Sequence, residues 1–260
     1  MVNDKQVILI TGASSGLGEG MAREFAQRGH DLALCARRLD RLELLAKELQ
    51  QQHIGIRIAI REVDVNDARQ VAQAFDEFSH TFGLIERIIV NAGRGGAAPL
   101  GTGDVNSALQ VAQTNFVGAV AQCDAAMRVF RKQGFGHLVV LSSVSAVRGM
   151  PGGMATYAAS KAGVATLAEG LRNEMKAAGL PIQVTTLMPG FIHTALNAHQ
   201  TRKPFAVDVA TGCHALVNAI ETQTDVAIVP GWPWRLIAKV LRWLPASRLP
   251  GAPSPLPSNR

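Results

Sequence analysis

Cysteine is scarce in this chain: there are three, Cys35, Cys123 and Cys213, odd in number and far apart. That excludes a disulfide framework and any cysteine metal-ligand spacing, and suggests reduced thiols in a cytoplasmic protein. No apolar run reaches the roughly 18 residues that a membrane-spanning helix needs. The first residues, Met1-Val2-Asn3-Asp4-Lys5-Gln6, do not have the pattern of a signal peptide. Charge of one sign is not concentrated anywhere. The excess is +6, from 26 basic and 20 acidic residues, with no long basic block, which argues against a nucleic-acid partner. An anionic cofactor or a membrane surface suits that mild excess equally well. No internal repeat is evident, and no Pro/Gly/Ser linker interrupts the chain before about residue 230. One domain over residues 1–230 with a tail over 231–260 is the expectation. Tryptophan is confined to Trp232–Trp243, and tyrosine occurs once, as Tyr157.

What is present is an alternation. Short apolar runs, Val7–Ile10, Leu32–Ala36, Ile56–Ile60, Ile88–Val90, Leu138–Leu141, Val184–Met188 and Val226–Val229, are separated by helical stretches. The stretches run from about 19 to 29, 39 to 52, 68 to 82 and 105 to 133, then one that holds Tyr157 and Lys161 and reaches to about 178, and one from 207 to 220. Strands alternating with helices of this length predict an α/β fold, a Rossmann-type, doubly wound parallel sheet of about seven strands with helices on both faces.

The first strand runs straight into Thr11-Gly12-Ala13-Ser14-Ser15-Gly16-Leu17-Gly18 and then a helix. Strand, glycine turn and helix start bring unpaired N–H groups against a pyrophosphate. The second strand ends in Arg37-Arg38 where an acid would bind the ribose 2′-hydroxyl of NAD. A guanidinium there suits the 2′-phosphate of NADP. Asp31 precedes that strand and Asp40 lies past the arginines, so neither is placed for the ribose. Asp64 and Val65 close the third strand near the adenine position, although Asp64 could equally cap the next helix. The fourth strand ends in Asn91-Ala92-Gly93. Asn115 interrupts an apolar helical run, costly unless its amide is paired. Ser142 and Ser143 end the fifth strand, at the edge where ligands of open α/β sheets collect. Tyr157 and Lys161 stand one helical turn apart. A neighbouring ammonium would pull the phenol down from its ordinary value of about 10 towards neutral pH.

These motifs, in this order, resemble those of the short-chain dehydrogenase/reductases over residues 5 to 230. The resemblance implies a nicotinamide-dependent oxidoreductase. Tyr157 would be the general acid/base, Lys161 would lower its pKa and hold the nicotinamide ribose, and Ser143 would hold the substrate oxygen. Asn115 would anchor a water chain, and Asn91 would shape the site beside the cofactor. Pro189 and Gly190 complete the motif set; Ile192 and Thr194 would meet the carboxamide. Ser143 lies one residue further from Tyr157 than is common in the family. The extra residue falls in the Pro151–Met154 turn, and Ser142 and Ser145 are the alternatives. The resemblance also implies a homodimer or homotetramer, with the helices around Asn115 and Tyr157 pairing between subunits.

NADPH-dependent reduction of a small, hydrophobic carbonyl is the reading. A nucleotide-binding protein without catalysis is one alternative. The other is a membrane-surface reductase of a lipid-like ketone. The polar segment from Ala195 to Pro204 reads as a substrate lid. In the tail, Leu236, Ile237, Val240, Leu241 and Leu244 make one apolar face of a basic helix, either packed over the pocket or a subunit, or lying on an anionic membrane. Pro245–Arg260 reads as an extended end.

Overall fold

The computed structural model describes residues 5–194 and 204–243. The proposed lid lies outside these residues, apart from its last member Pro204, and so do Leu244 and the proline-rich end. Seven strands form one parallel sheet in the order β3-β2-β1-β4-β5-β6-β7. They are β1 (Val7–Thr11), β2 (Asp31–Ala36), β3 (Ile58–Glu62), β4 (Arg87–Val90), β5 (Gly136–Leu141), β6 (Ile182–Pro189) and β7 (Val226–Val229).

Why both faces are covered is visible in β1, where successive side chains point to opposite faces. Val7 and Leu9 face one core, under α3 (Ala68–Phe82), α5 (Gly118–Gln133) and α6 (Ala155–Ala177). Ile8 and Ile10 face the other, under α1 (Gly16–Gln27), α2 (Leu39–Gln52) and α7 (Val209–Glu221). With apolar side chains on both faces, the central strands have no solvent side, as parallel sheets require. The strand order reverses between β1 and β4, which opens a crevice beyond their carboxyl ends.

Four sequence expectations shift. The third strand begins at Ile58 rather than Ile56: Asp31 Oδ1 accepts from the Arg57 backbone N–H at 2.7 Å, and pairing with β2 runs on to Glu62. Asp31 itself lies within β2, buried and ion-paired to Lys5 and Arg57 at 2.7 Å each. The long helix over 105–133 is broken into α4 (Val105–Ala112), a π-turn (Gln113–Val117) and α5. The helix after Asp64 is capped by Asp67, whose side chain accepts from Arg69 N and Gln70 N.

The tail forms α8 (Trp234–Trp243). Its inner side is Trp234 and Ala238, buried, with Ile237 and Leu241 half-buried. Leu236 and Val240, expected on the same apolar face, are exposed. The reason is angular: at 3.6 residues per turn, positions 234, 237, 238 and 241 share an arc that 236 and 240 leave.

Candidate active site

The glycine turn sits where β1 meets β4. Thr11 Oγ1 accepts from the N–H groups of Asn91 (3.0 Å) and Ala92 (3.1 Å). Asn91 Nδ2 donates to Thr11 O at 2.8 Å, so the two strand ends are stitched together. Gly12 has φ +65, and a Cβ there would stand 2.8 Å from the Ala92 Cα. Only glycine allows both the left-handed backbone and that approach. Gly18 packs from behind, where a Cβ would overlap the Gly12 carbonyl oxygen.

α1 starts at Gly16, and the Ser15 side chain does not cap it. The first N–H groups of a helix lack intrahelical partners and carry partial positive charge. Gly16 and Leu17 line the cleft, so this end can receive an anion. The Arg38 guanidinium stands beside it. Nη2 donates to Ser15 Oγ at 2.6 Å and to Ser14 Oγ at 3.1 Å, and Nε donates to Ser14 Oγ at 3.3 Å. Arg37 is exposed on the same rim. These residues therefore fit a phosphorylated adenosine: backbone donors for a pyrophosphate, and a cation with two hydroxyls for a further phosphate. Asp64 and Val65 form the next wall, with Asp64 Oδ1 accepting from Asn66 Nδ2 at 2.9 Å.

At the other end, β5 delivers Ser142 and Ser143. Ser142 Oγ is turned away and donates to the Lys161 carbonyl oxygen at 2.7 Å. Ser143 Oγ is hydrogen-bonded to the Tyr157 phenol and also receives Ser145 Oγ at 3.0 Å. Of the three candidate serines it is therefore Ser143 that meets the phenol. The intervening chain passes through the turn Gly152–Met154, with Gly152 at φ +63.

Lys161 is buried, and its Nζ donates to Leu141 O at 2.8 Å. Burial brings its pKa down to about 8. The expected lowering of the phenol pKa by this ammonium is not found. Burial pushes Tyr157 up, and the Ser143 hydroxyl opposes that rise. Desolvation of the phenolate is the larger effect, and the group that opposes it is Ser143 rather than Lys161.

Asn115 lies in the π-turn one layer behind the cleft. Its Oδ1 accepts from Arg94 N and its Nδ2 donates to Arg94 O, both at 2.8 Å. The amide thus clamps the backbone just after Asn91-Ala92-Gly93. Next to it, a Cβ on Gly93 would be 3.2 Å from Asn115 Oδ1 and 3.7 Å from Lys161 Nζ. Pro189, Gly190, Ile192 and Thr194 close the cleft from the β6 side. Trp234 of α8 packs so tightly on Gly190 that any Cβ there would overlap its indole. Phe191 meets the same ring edge-to-face at 5.4 Å. Arg148 Nη1 donates to Leu241 O at 3.1 Å and ties α8 to the segment after Ser143.

One cleft therefore gathers every residue expected at the site except Gly18 and Asn115, which support it from behind. Sequence reasoning gave no site role to Ala36, Asn66, Thr114 and Leu141, which also line it. Thr114 directly precedes Asn115 and Leu141 directly precedes Ser142, and that adjacency is the available signal.

The family model described as short chain dehydrogenase matches residues 6–204. An uncharacterized oxidoreductase of Mycobacterium tuberculosis is 50% identical over 241 residues, covering 93% of this chain and 94% of its own. An alcohol dehydrogenase from Thermococcus sibiricus, solved with 5-hydroxy-NADP, superposes with a TM-score of 0.77 at 25% identity, over 87% of this chain and 96% of its own. A short chain dehydrogenase/reductase from Burkholderia phymatum, solved with NAD, shares the fold with a TM-score of 0.82 at 22% identity, over 98% of this chain and all of its own. The sheet order and these matches together make the chain an oxidoreductase that belongs to the short-chain dehydrogenase/reductase family.

Proposed function

We propose that this protein reduces an apolar carbonyl compound to an alcohol, reversibly, with NADPH as the cofactor. The observation that carries the reading is the Ser143–Tyr157 hydrogen bond, made in the same cleft as the glycine turn and its arginines. The Arg38–Ser14–Ser15 cluster favours NADP over NAD.

The nicotinamide supplies the hydride when it is bound. The chain's own groups manage the oxygen. As the carbonyl carbon gains hydride, negative charge builds on its oxygen, and the Ser143 and Tyr157 hydroxyls both donate to it. Donors already aimed at developing charge lower the barrier without reorganisation. Tyr157 then yields its proton to that oxygen, which completes the alcohol. In the reverse direction the phenolate takes the alcohol proton. A phenol held protonated by burial suits the reducing direction. Lys161, anchored on Leu141 O, sits beside Gly93 where a ribose hydroxyl would be held. Asn115 keeps the Arg94 backbone, and so Gly93, in place. Phe191 and Trp234 pack against each other behind Gly190 and brace that side of the cleft.

The test is NADPH oxidation across ketones, aldehydes and acyl-linked 3-oxo compounds, repeated with Tyr157→Phe. Turnover falls about 10²–10⁴-fold in the variant, while NADPH affinity stays within about threefold, because the ring keeps its packing. Full turnover by Tyr157→Phe would refute the assignment. NADPH binding with no turnover on any carbonyl would favour a nucleotide-binding role.

We also propose a homo-oligomer. Leu109, Val117 and Val120 leave apolar side chains exposed on α4, the π-turn and α5, and exposed apolar patches mark interaction surfaces. Light scattering giving the mass of a single 27.6 kDa chain would remove this reading.

A further inference from the structure

The outer side of α8 carries two parallel ridges. Leu236, Val240 and Trp243 follow an i, i+4, i+7 spacing, and all three are exposed, Trp243 at 85%. Arg235, Lys239 and Arg242 follow the same spacing one residue earlier and are exposed as well. On a helix such rows lie side by side. Trp232, 78% exposed, stands just ahead of the helix, so an indole marks each end of the apolar ridge. Among the described residues after Asp225 there is no aspartate or glutamate to offset the three cations of α8. No helix among the described residues is long and apolar enough to cross a membrane.

We infer that this outer face of α8 is a docking surface for an anionic lipid bilayer, on which the helix lies flat. Exposed apolar side chains flanked by cations, with tryptophan at the ends, match the interface between headgroups and acyl chains. Each Arg or Lys near an anionic leaflet adds attraction that salt screens. A second copy of this chain is the poorer occupant. Two-fold pairing of the ridges would bring like charges together. A ten-residue helix also presents far less than the ~800 Å² per partner of a stable interface. The inner side of α8 rests on Gly190, which lines the cleft, and is tied through Arg148, so the bilayer contact and one wall of the cleft lean on the same helix.

Co-sedimentation of the full chain with phosphatidylcholine vesicles, with and without about 30% phosphatidylglycerol, tests this inference at low and high salt. The readout needs no turnover, so it stands or falls apart from the proposed reaction. The native protein pellets with the anionic vesicles, less at high salt and little with the neutral ones. Replacing Arg235, Lys239 and Arg242 together with Gln lowers the partition coefficient on the order of 100-fold. Leu236→Ser with Val240→Ser and Trp243→Ser abolishes pelleting while NADPH affinity and melting temperature match the native protein. If either set of changes unfolds the chain, the other set and the salt series still decide. Equal pelleting of native and variant proteins, or of anionic and neutral vesicles, overturns the inference. So does a native mass, measured without lipid, that halves in the variants, since a second copy then covers the face.

Discussion

Arg38 offers the sharpest test of cofactor choice. Its guanidinium already reaches the two serine hydroxyls of the glycine turn, at 2.6 and 3.1 Å from Nη2. A phosphate placed among those groups would accept from the guanidinium fork and from both hydroxyls. Charge-assisted hydrogen bonds of this kind contribute about 1.5–3 kcal/mol. Arg38→Ala should therefore raise the NADPH dissociation constant roughly 10- to 150-fold. NADH lacks that phosphate, so its affinity should move less than about threefold. Arg38→Lys keeps the charge but loses the planar fork, and should recover only part of the loss. Arg37, exposed on the same rim, should matter less. Fluorescence titration of both cofactors at fixed ionic strength, repeated at high salt, reads the ratio directly. Equal weakening of NADPH and NADH by Arg38→Ala would refute the phosphate role, because Arg38 would then be holding the turn rather than a phosphate. So would a native protein that does not distinguish the two cofactors.

Two further predictions concern stability. Gly18→Ala puts a Cβ into the Gly12 carbonyl oxygen and within 2.6 Å of Asn91 Nδ2. It should cost about 1–3 kcal/mol in urea unfolding and weaken cofactor binding; an unchanged midpoint would mean the turn relaxes freely. His137 is buried, accepts Arg87 Nε at Nδ1 (3.0 Å) and hydrogen-bonds Thr185 Oγ1 through Nε2 (2.9 Å). Burial, aided by the Arg87 charge, takes its pKa from 6.5 to about 3. A depressed histidine value means that stability is full above 6.5 and drains as pH falls towards 3. Between pH 7 and pH 5 the loss should be about 2 kcal/mol. Urea midpoints at the two pH values measure it, and a His137→Gln protein with the same pH slope would sink the assignment.

Local chemistry explains what was legible. Thr11–Gly18 reads as a turn before a helix because glycine spacing and flanking apolar runs act over a few residues. Arg37-Arg38 is readable because it follows directly on a strand. Tyr157 and Lys161 share a face because a helix puts them there. Asn115 needs partners for its amide inside an apolar run, yet nothing nearby in sequence points to the Arg94 backbone 21 residues away. Arg87 and His137 stand just ahead of the apolar runs Ile88–Val90 and Leu138–Leu141, where nothing local gives them a role. They become a buried pair only because β4 and β5 are neighbours with Arg87 opposite His137, and Glu221 from α7 then accepts from Arg87 at 2.8 Å.

Periodicity, glycine spacing and strand-end residues determined the fold class, the glycine cradle and the lysine one turn beyond the phenol, since each depends on contacts within one or two elements. Tertiary structure alone decided which serine meets the phenol, the direction of the phenol's pKa, and which side of α8 is buried. Those outcomes depend on how much water and which neighbours the packed elements leave around each group, and distant segments set both.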